Sequence, residues 1–132
     1  MRVFAEQSRI REYEDFAIVA YLESASGVQF TTSNVSSYDV YVYEVGGGAT
    51  PTTPVYTNTG LNPVSGFFDT RQVDGYATML GDGGGYNFIY VVEDSDFHMS
   101  GGKTYRVEVL IHTNGFGKTV LACDATVLAV YS

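Results

Sequence analysis

Tryptophan is absent, cysteine occurs once, proline three times, and lysine plus arginine number only seven in 132 residues. Each shortage excludes something. The lone Cys123 cannot build an internal disulfide framework, and no paired Cys or His spacing suits zinc. Few cations against fifteen carboxylates leave a net charge of −8 and a pI near 4.4. That balance opposes nucleic-acid binding, because phosphates are held by clustered Lys and Arg. No apolar run approaches the roughly 20 residues that span a bilayer. Arg2, Glu6, Arg9, Arg11 and Glu12 also interrupt the first dozen residues, where a signal peptide would be apolar. The expectation is a protein made in a cytoplasm, with neither nucleic acid nor membrane as partner.

What is plentiful points to strands. Eleven tyrosines, eight phenylalanines and fifteen glycines favour extended chain and tight turns over helix. The stretch 83–112 is the organising one. Tyr105, Val107, Val109 and Ile111 alternate with Thr104, Arg106, Glu108 and His112, the two-residue period of a half-buried strand. The run Tyr86–Val92 is apolar on both sides and is expected in the middle of a sheet, antiparallel to its successor.

Taken in order, residues 1–13 carry a net charge of +1 and the one weakly helical stretch, Ala5–Glu12. They are expected to form an arm that adds an edge strand or reaches a neighbour, ahead of one domain over 14–132. Further strands are expected at Phe16–Glu23, Tyr38–Val45, Val55–Thr57, Phe67–Val73 and Tyr76–Leu80, with a short return at Val28–Phe30. A last strand runs from Lys118 towards Tyr131 with a break near Asp124, after the hairpin signal Thr113–Gly117. The loop Gly46–Pro54 is expected to cross between sheets or project; it lacks the Lys-Ser/Thr ending and following helix of a phosphate cradle. About seven to nine strands without a helix describe an antiparallel β-sandwich, immunoglobulin-like, with a closed barrel or jelly roll as the alternative.

Chemistry is thin. Glu93, Asp94 and Asp96, with Asp82 before them, could share a calcium ion, but no spaced ligand series supports it. The strand acids Glu44, Asp69 and Glu108 show no paired arrangement, and Glu108 falls on the side away from the core. His98 and His112 have no serine or cysteine partner in any recognisable motif, and Cys123 sits among small apolar residues as a packed side chain. No catalytic, cofactor or metal residues are therefore assigned. Tyr38, Tyr41, Tyr43, Tyr56, Tyr86 and Tyr90 could form a stacking platform for sugar or a protein interface.

Three stretches, Phe16–Gly27, Gly85–Phe88 and Gly102–Val109, within a span of Asp15–Val130, resemble small immunoglobulin-like virion proteins of tailed bacteriophages. The resemblance implies a non-enzymatic virion protein, most simply a capsid decoration or cement protein that stabilises the head lattice. A tail or head–tail accessory protein, or a carbohydrate-binding module, is the alternative. Implied partners are a major capsid or tail protein and copies of the chain itself. Expected contacts are Arg2, Val3, Phe4, Arg9 and Ile10 from the arm, Gly48, Pro51 and Pro54 from the loop, and Tyr41 and Tyr43 from the strand Tyr38–Val45.

Overall fold

The computed structural model describes residues 3–6, 9–46, 52–76 and 84–130. Most of the apolar runs become extended chain, and nine strands form among the described residues. They are β1 (Val3–Glu6), β2 (Arg9–Arg11), β3 (Phe16–Tyr21), β4 (Val35–Val45), β5 (Tyr56–Leu61), β6 (Phe67–Gln72), β7 (Tyr86–Val92), β8 (Thr104–Thr113) and β9 (Lys118–Leu128). They build two sheets, ordered β1-β3-β7-β6 and β2-β9-β8-β4-β5. Every pairing is antiparallel except β2 on β9. No strand is shared between the sheets, so the body is a sandwich and not a barrel. The order is that of an immunoglobulin-type sandwich whose first strand is split between both layers.

The inner faces interdigitate. Phe16, Ile18 and Ala20 of β3 and Phe88 and Val92 of β7 meet Tyr38, Val40 and Val42 of β4, Val107, Val109 and Ile111 of β8, and Leu121, Ala125 and Val127 of β9. Each large side chain removed from water contributes about 1.5–3 kcal/mol. Strand β3 is buried on both faces, because Val19 and Tyr21 join Tyr86, Phe68 and Ile89 in a second cluster on the outer side. The Arg71 guanidinium lies 4.0 Å above the Tyr21 ring there and donates to the Gly85 carbonyl at 2.8 Å.

Several expectations are corrected by long-range packing. Strands β7 and β8 do not pair with each other; they lie in opposite sheets, because the connection 93–103 is long enough to cross the sandwich. The crossing is anchored by Tyr105, whose hydroxyl accepts a hydrogen bond from the Ser100 N–H at 3.0 Å, the arrangement of a tyrosine corner. Tyr105→Phe should cost about 1–1.5 kcal/mol in chemical denaturation, since one buried acceptor is lost and packing is kept. The alternative that Gly46–Pro54 crosses between sheets is corrected, since the strands on either side of it, β4 and β5, are neighbours in one sheet; residues 47–51 fall outside the described residues. No break occurs at Asp124: the β8–β9 register is continuous, and Asp124 points outward beside Arg106. The Val28–Phe30 return shrinks to a single bridge between Glu23 and Gln29. Tyr76 lies in a turn, and the rest of its expected strand falls outside the described residues.

Two described parts of the segment expected as an arm, β1 and β2, are built one into each sheet. Strand β1 runs antiparallel to β3, and β2 runs parallel to the end of β9, so the edge-strand form is the one adopted.

Candidate interaction surface

Turning the alternation of β4, β8 and β9 outward produces a grid of side chains on the five-stranded sheet. The cross-strand rows are Ser37–His112–Lys118, Asp39–Leu110–Val120, Tyr41–Glu108–Ala122, Tyr43–Arg106–Asp124 and Val45–Thr104–Thr126. Apolar and charged side chains thus share one face, as they do where proteins meet. Val120 is 51% exposed and Leu128 47%. Asp39 accepts from the Gly60 N–H at 2.7 Å and meets His112 Nε2 at 2.8 Å. Burial works against the Asp39 carboxylate, yet these partners outweigh it and hold its pKa below the ordinary value. Burial first, then Glu108 and Tyr41, push the Tyr43 phenol up, so it stays a neutral hydrogen-bonding group. Arg106 Nε meets Asp124 Oδ1 at 3.2 Å, and Lys103 Nζ meets Glu44 Oε1 at 3.0 Å, both in solvent.

The described members of the expected contact set lie in several parts of the fold. Tyr41 and Tyr43 are half-buried neighbours on this outer face, and Arg9 is exposed at the far edge beside Thr126. Ile10 is corrected: it is 4% exposed and belongs to the core, because the sandwich itself supplies the burial it was expected to find on a neighbour. Val3 and Phe4 lie in β1, paired with Tyr21 and Ala20. Pro54 is half-buried, while Arg2, Gly48 and Pro51 fall outside the described residues.

The six tyrosines do not form a single platform. Tyr38 is in the core at 1% exposure, Tyr86 is in the second cluster on the other sheet, and Tyr56 and Tyr90 pack inward against the core. Burial pushes the Tyr90 phenol up to about 12. Tyr86 is raised by burial and by Asp74, whose Oδ2 accepts its hydroxyl at 2.7 Å. Glu93 and Asp96 line an open cleft of about 380 Å³ with Tyr38, Asn58, Ser65 and Tyr90. Asp69 is fixed by the Thr32 N–H and hydroxyl, each at 2.8 Å, which depress its pKa. Among the described residues, no three His, Cys, Asp or Glu side chains converge as metal ligands. Asp82 is outside them. Cys123 is buried, its sulfur 3.9 Å from the Val107 carbonyl.

One polar cluster was not foreseen. His98 bridges two loops: Nδ1 is 2.7 Å from Asp94 Oδ1, and Nε2 is 3.0 Å from Glu12 Oε2, with the Tyr13 ring centroid 4.9 Å away. Two carboxylate partners favour the imidazolium form, whose two ring N–H groups can each donate to one of them. Asp94 and then Glu12 raise the His98 pKa, and the Gly101 N–H followed by His98 lowers that of Glu12. The His98 contribution to stability is therefore full below its ordinary value of 6.5 and disappears as pH rises through its elevated folded value. The Glu12 contribution is full above 4.5 and disappears as pH falls through its depressed value. The melting temperature of the native chain should fall relative to His98→Gln as pH is raised from the weakly acidic range into the weakly alkaline. Parallel curves would refute the bridge. The signal in sequence was the Asp94–His98 spacing; Glu12 lies 86 residues away and gave none.

Comparison of the chain with family profiles, with curated proteins and with solved structures found no match.

Proposed function

We propose that this protein is a non-enzymatic structural component of a virion, a capsid decoration or cement module that binds a protein shell, with a tail or head–tail accessory role as the alternative placement. The observation that carries the reading is the outer face of the five-stranded sheet. There Tyr41, Tyr43, Leu110, Val120 and Ala122 are the apolar members of a strip that also holds Glu108, Arg106 and Asp124. The resemblance of Phe16–Gly27, Gly85–Phe88 and Gly102–Val109 to phage immunoglobulin-like proteins supports the virion setting. Attachment would work by burying that strip, about 25 cal/mol per Å² of apolar area, with many copies on a lattice adding avidity.

Gradient fractionation of the source material tests this. The chain should co-sediment with particles, and Tyr41→Ser with Tyr43→Ser should reduce retention about tenfold while leaving the fold intact. Recovery of the native chain only in the soluble fraction would overturn the proposal.

A further inference from the structure

We propose that two copies of this chain join edge to edge through the first part of β9, antiparallel about a two-fold axis at Leu121. This deepens the reading of the chain as an assembling module, on which it rests, and names a second copy as one of its partners. Strand β2 covers β9 only at Thr126–Leu128, so among the described residues no strand flanks the earlier part of β9 on the side away from β8. The direction of the backbone groups is fixed. The Val127 N–H donates to the Lys103 carbonyl at 2.9 Å, and the Val127 carbonyl accepts from Gly102 at 2.8 Å, both on the β8 side. The next carbonyl, Leu128, accepts from the Glu12 N–H at 2.8 Å on the opposite side. By the alternation of an antiparallel ladder, Lys118, Val120, Ala122 and Asp124 aim their N–H and C=O groups at the open edge.

That edge is the regular one. Its register against β8 is unbroken from Lys118 to Thr126, whereas β4–β5 and β6–β7 both carry register shifts. An antiparallel partner must pair even residues with even residues to satisfy these groups. Centring on Leu121 places Lys118 opposite Asp124 of the second copy, and Val120 opposite Ala122, each twice by symmetry. Centring on Val120 would set Lys118 against Ala122, and centring on Ala122 would set it against Thr126, which β2 already occupies. Charge complementarity therefore selects Leu121. Across the seam the outer row runs His112, Lys118, then Asp124 and Arg106 of the second copy, and the exposed Val120 gains an apolar neighbour. The competing account, in which Lys118 and Asp124 merely guard an edge against pairing, requires a monomer.

Sedimentation velocity of the full chain at micromolar concentrations should give a dimer. Lys118→Glu and Asp124→Lys should each weaken it about tenfold, and their combination should restore it to within about threefold. Melting temperatures would show that the variants fold. Register is read by cysteine trapping in a Cys123→Ala background, since directly opposed residues lie about 5.5 Å apart at Cα, within disulfide reach. Val120→Cys mixed with Ala122→Cys should cross-link, and neither should do so alone. A native chain that stays monomeric overturns the pairing, and cross-linking of either single variant with itself overturns the register. Retention of a monomer on particles would leave the structural role standing; a dimer found only in the soluble fraction would sink that role and keep the pairing.

Discussion

Asn87→Ala is expected to remove about 2–5 kcal/mol of folding stability, because the Leu22 N–H and the Phe30 carbonyl lose their buried partner at about 1–3 kcal/mol each, partly offset by relaxation, while the Leu22 carbonyl keeps the Phe30 N–H at 3.1 Å. Asn87 is fully buried. Its Oδ1 accepts the Leu22 N–H at 2.7 Å, and its Nδ2 donates to the Leu22 carbonyl at 2.8 Å and the Phe30 carbonyl at 2.9 Å. One side chain thereby ties β7 to the turn between Leu22 and Phe30, where the β-ladder supplies only the Glu23–Gln29 bridge. Single domains have about 5–15 kcal/mol to lose, so the variant should lie close to unfolding. Asn87→Asp keeps the shape but turns an acceptor towards two carbonyls, and should be as damaging at neutral pH. Urea denaturation reads both; a loss below about 1 kcal/mol for either would show that water replaces the amide.

The second large effect is expected at Tyr38. Its ring sits edge-on to Phe67, Phe88 and Tyr90 at centroid distances of 5.7, 5.5 and 6.4 Å. Tyr38→Ala should cost about 3–5 kcal/mol by leaving a cavity at the centre of the sandwich, lowering the melting temperature on the order of 10–20 °C. Tyr38→Phe should cost about 1 kcal/mol. The difference follows from the hydroxyl, which donates to Ser65 Oγ at 2.7 Å while that oxygen donates to the Asn62 carbonyl at 2.7 Å. Gly66 permits the approach, since a Cβ there would come 2.6 Å from the Tyr38 hydroxyl oxygen. A Tyr38→Phe variant as unstable as Tyr38→Ala would mean the polar link, and not the packing, dominates.

Local alternation carried much of the architecture. The β7 segment, the phase of β8 and the glycine hairpin before β9 follow from side-chain period and turn chemistry, both short-range properties. Asn87 could have been noticed as an amide inside an apolar run, because such a residue must find buried partners; which ones depended on a turn 57–65 residues away. The outward placement of Tyr41 and Tyr43 was legible from phase. The dispersal of Tyr38, Tyr86 and Tyr90 to core and opposite sheet was not, because a strand's phase relates its own residues and says nothing about which layer it joins.

Composition and a two-residue period act within each segment, and they were enough to read a helix-poor, acidic chain of strands without a disulfide framework. Long-range packing decided that the strands close as a sandwich and not a barrel, that β7 and β8 face each other across the core, that β1 and β2 enter separate sheets, and that among the described residues no strand flanks the outer edge of the first part of β9. Those outcomes are settled by which distant strands bury one another's apolar faces, a competition among whole layers that no single stretch of chain encodes.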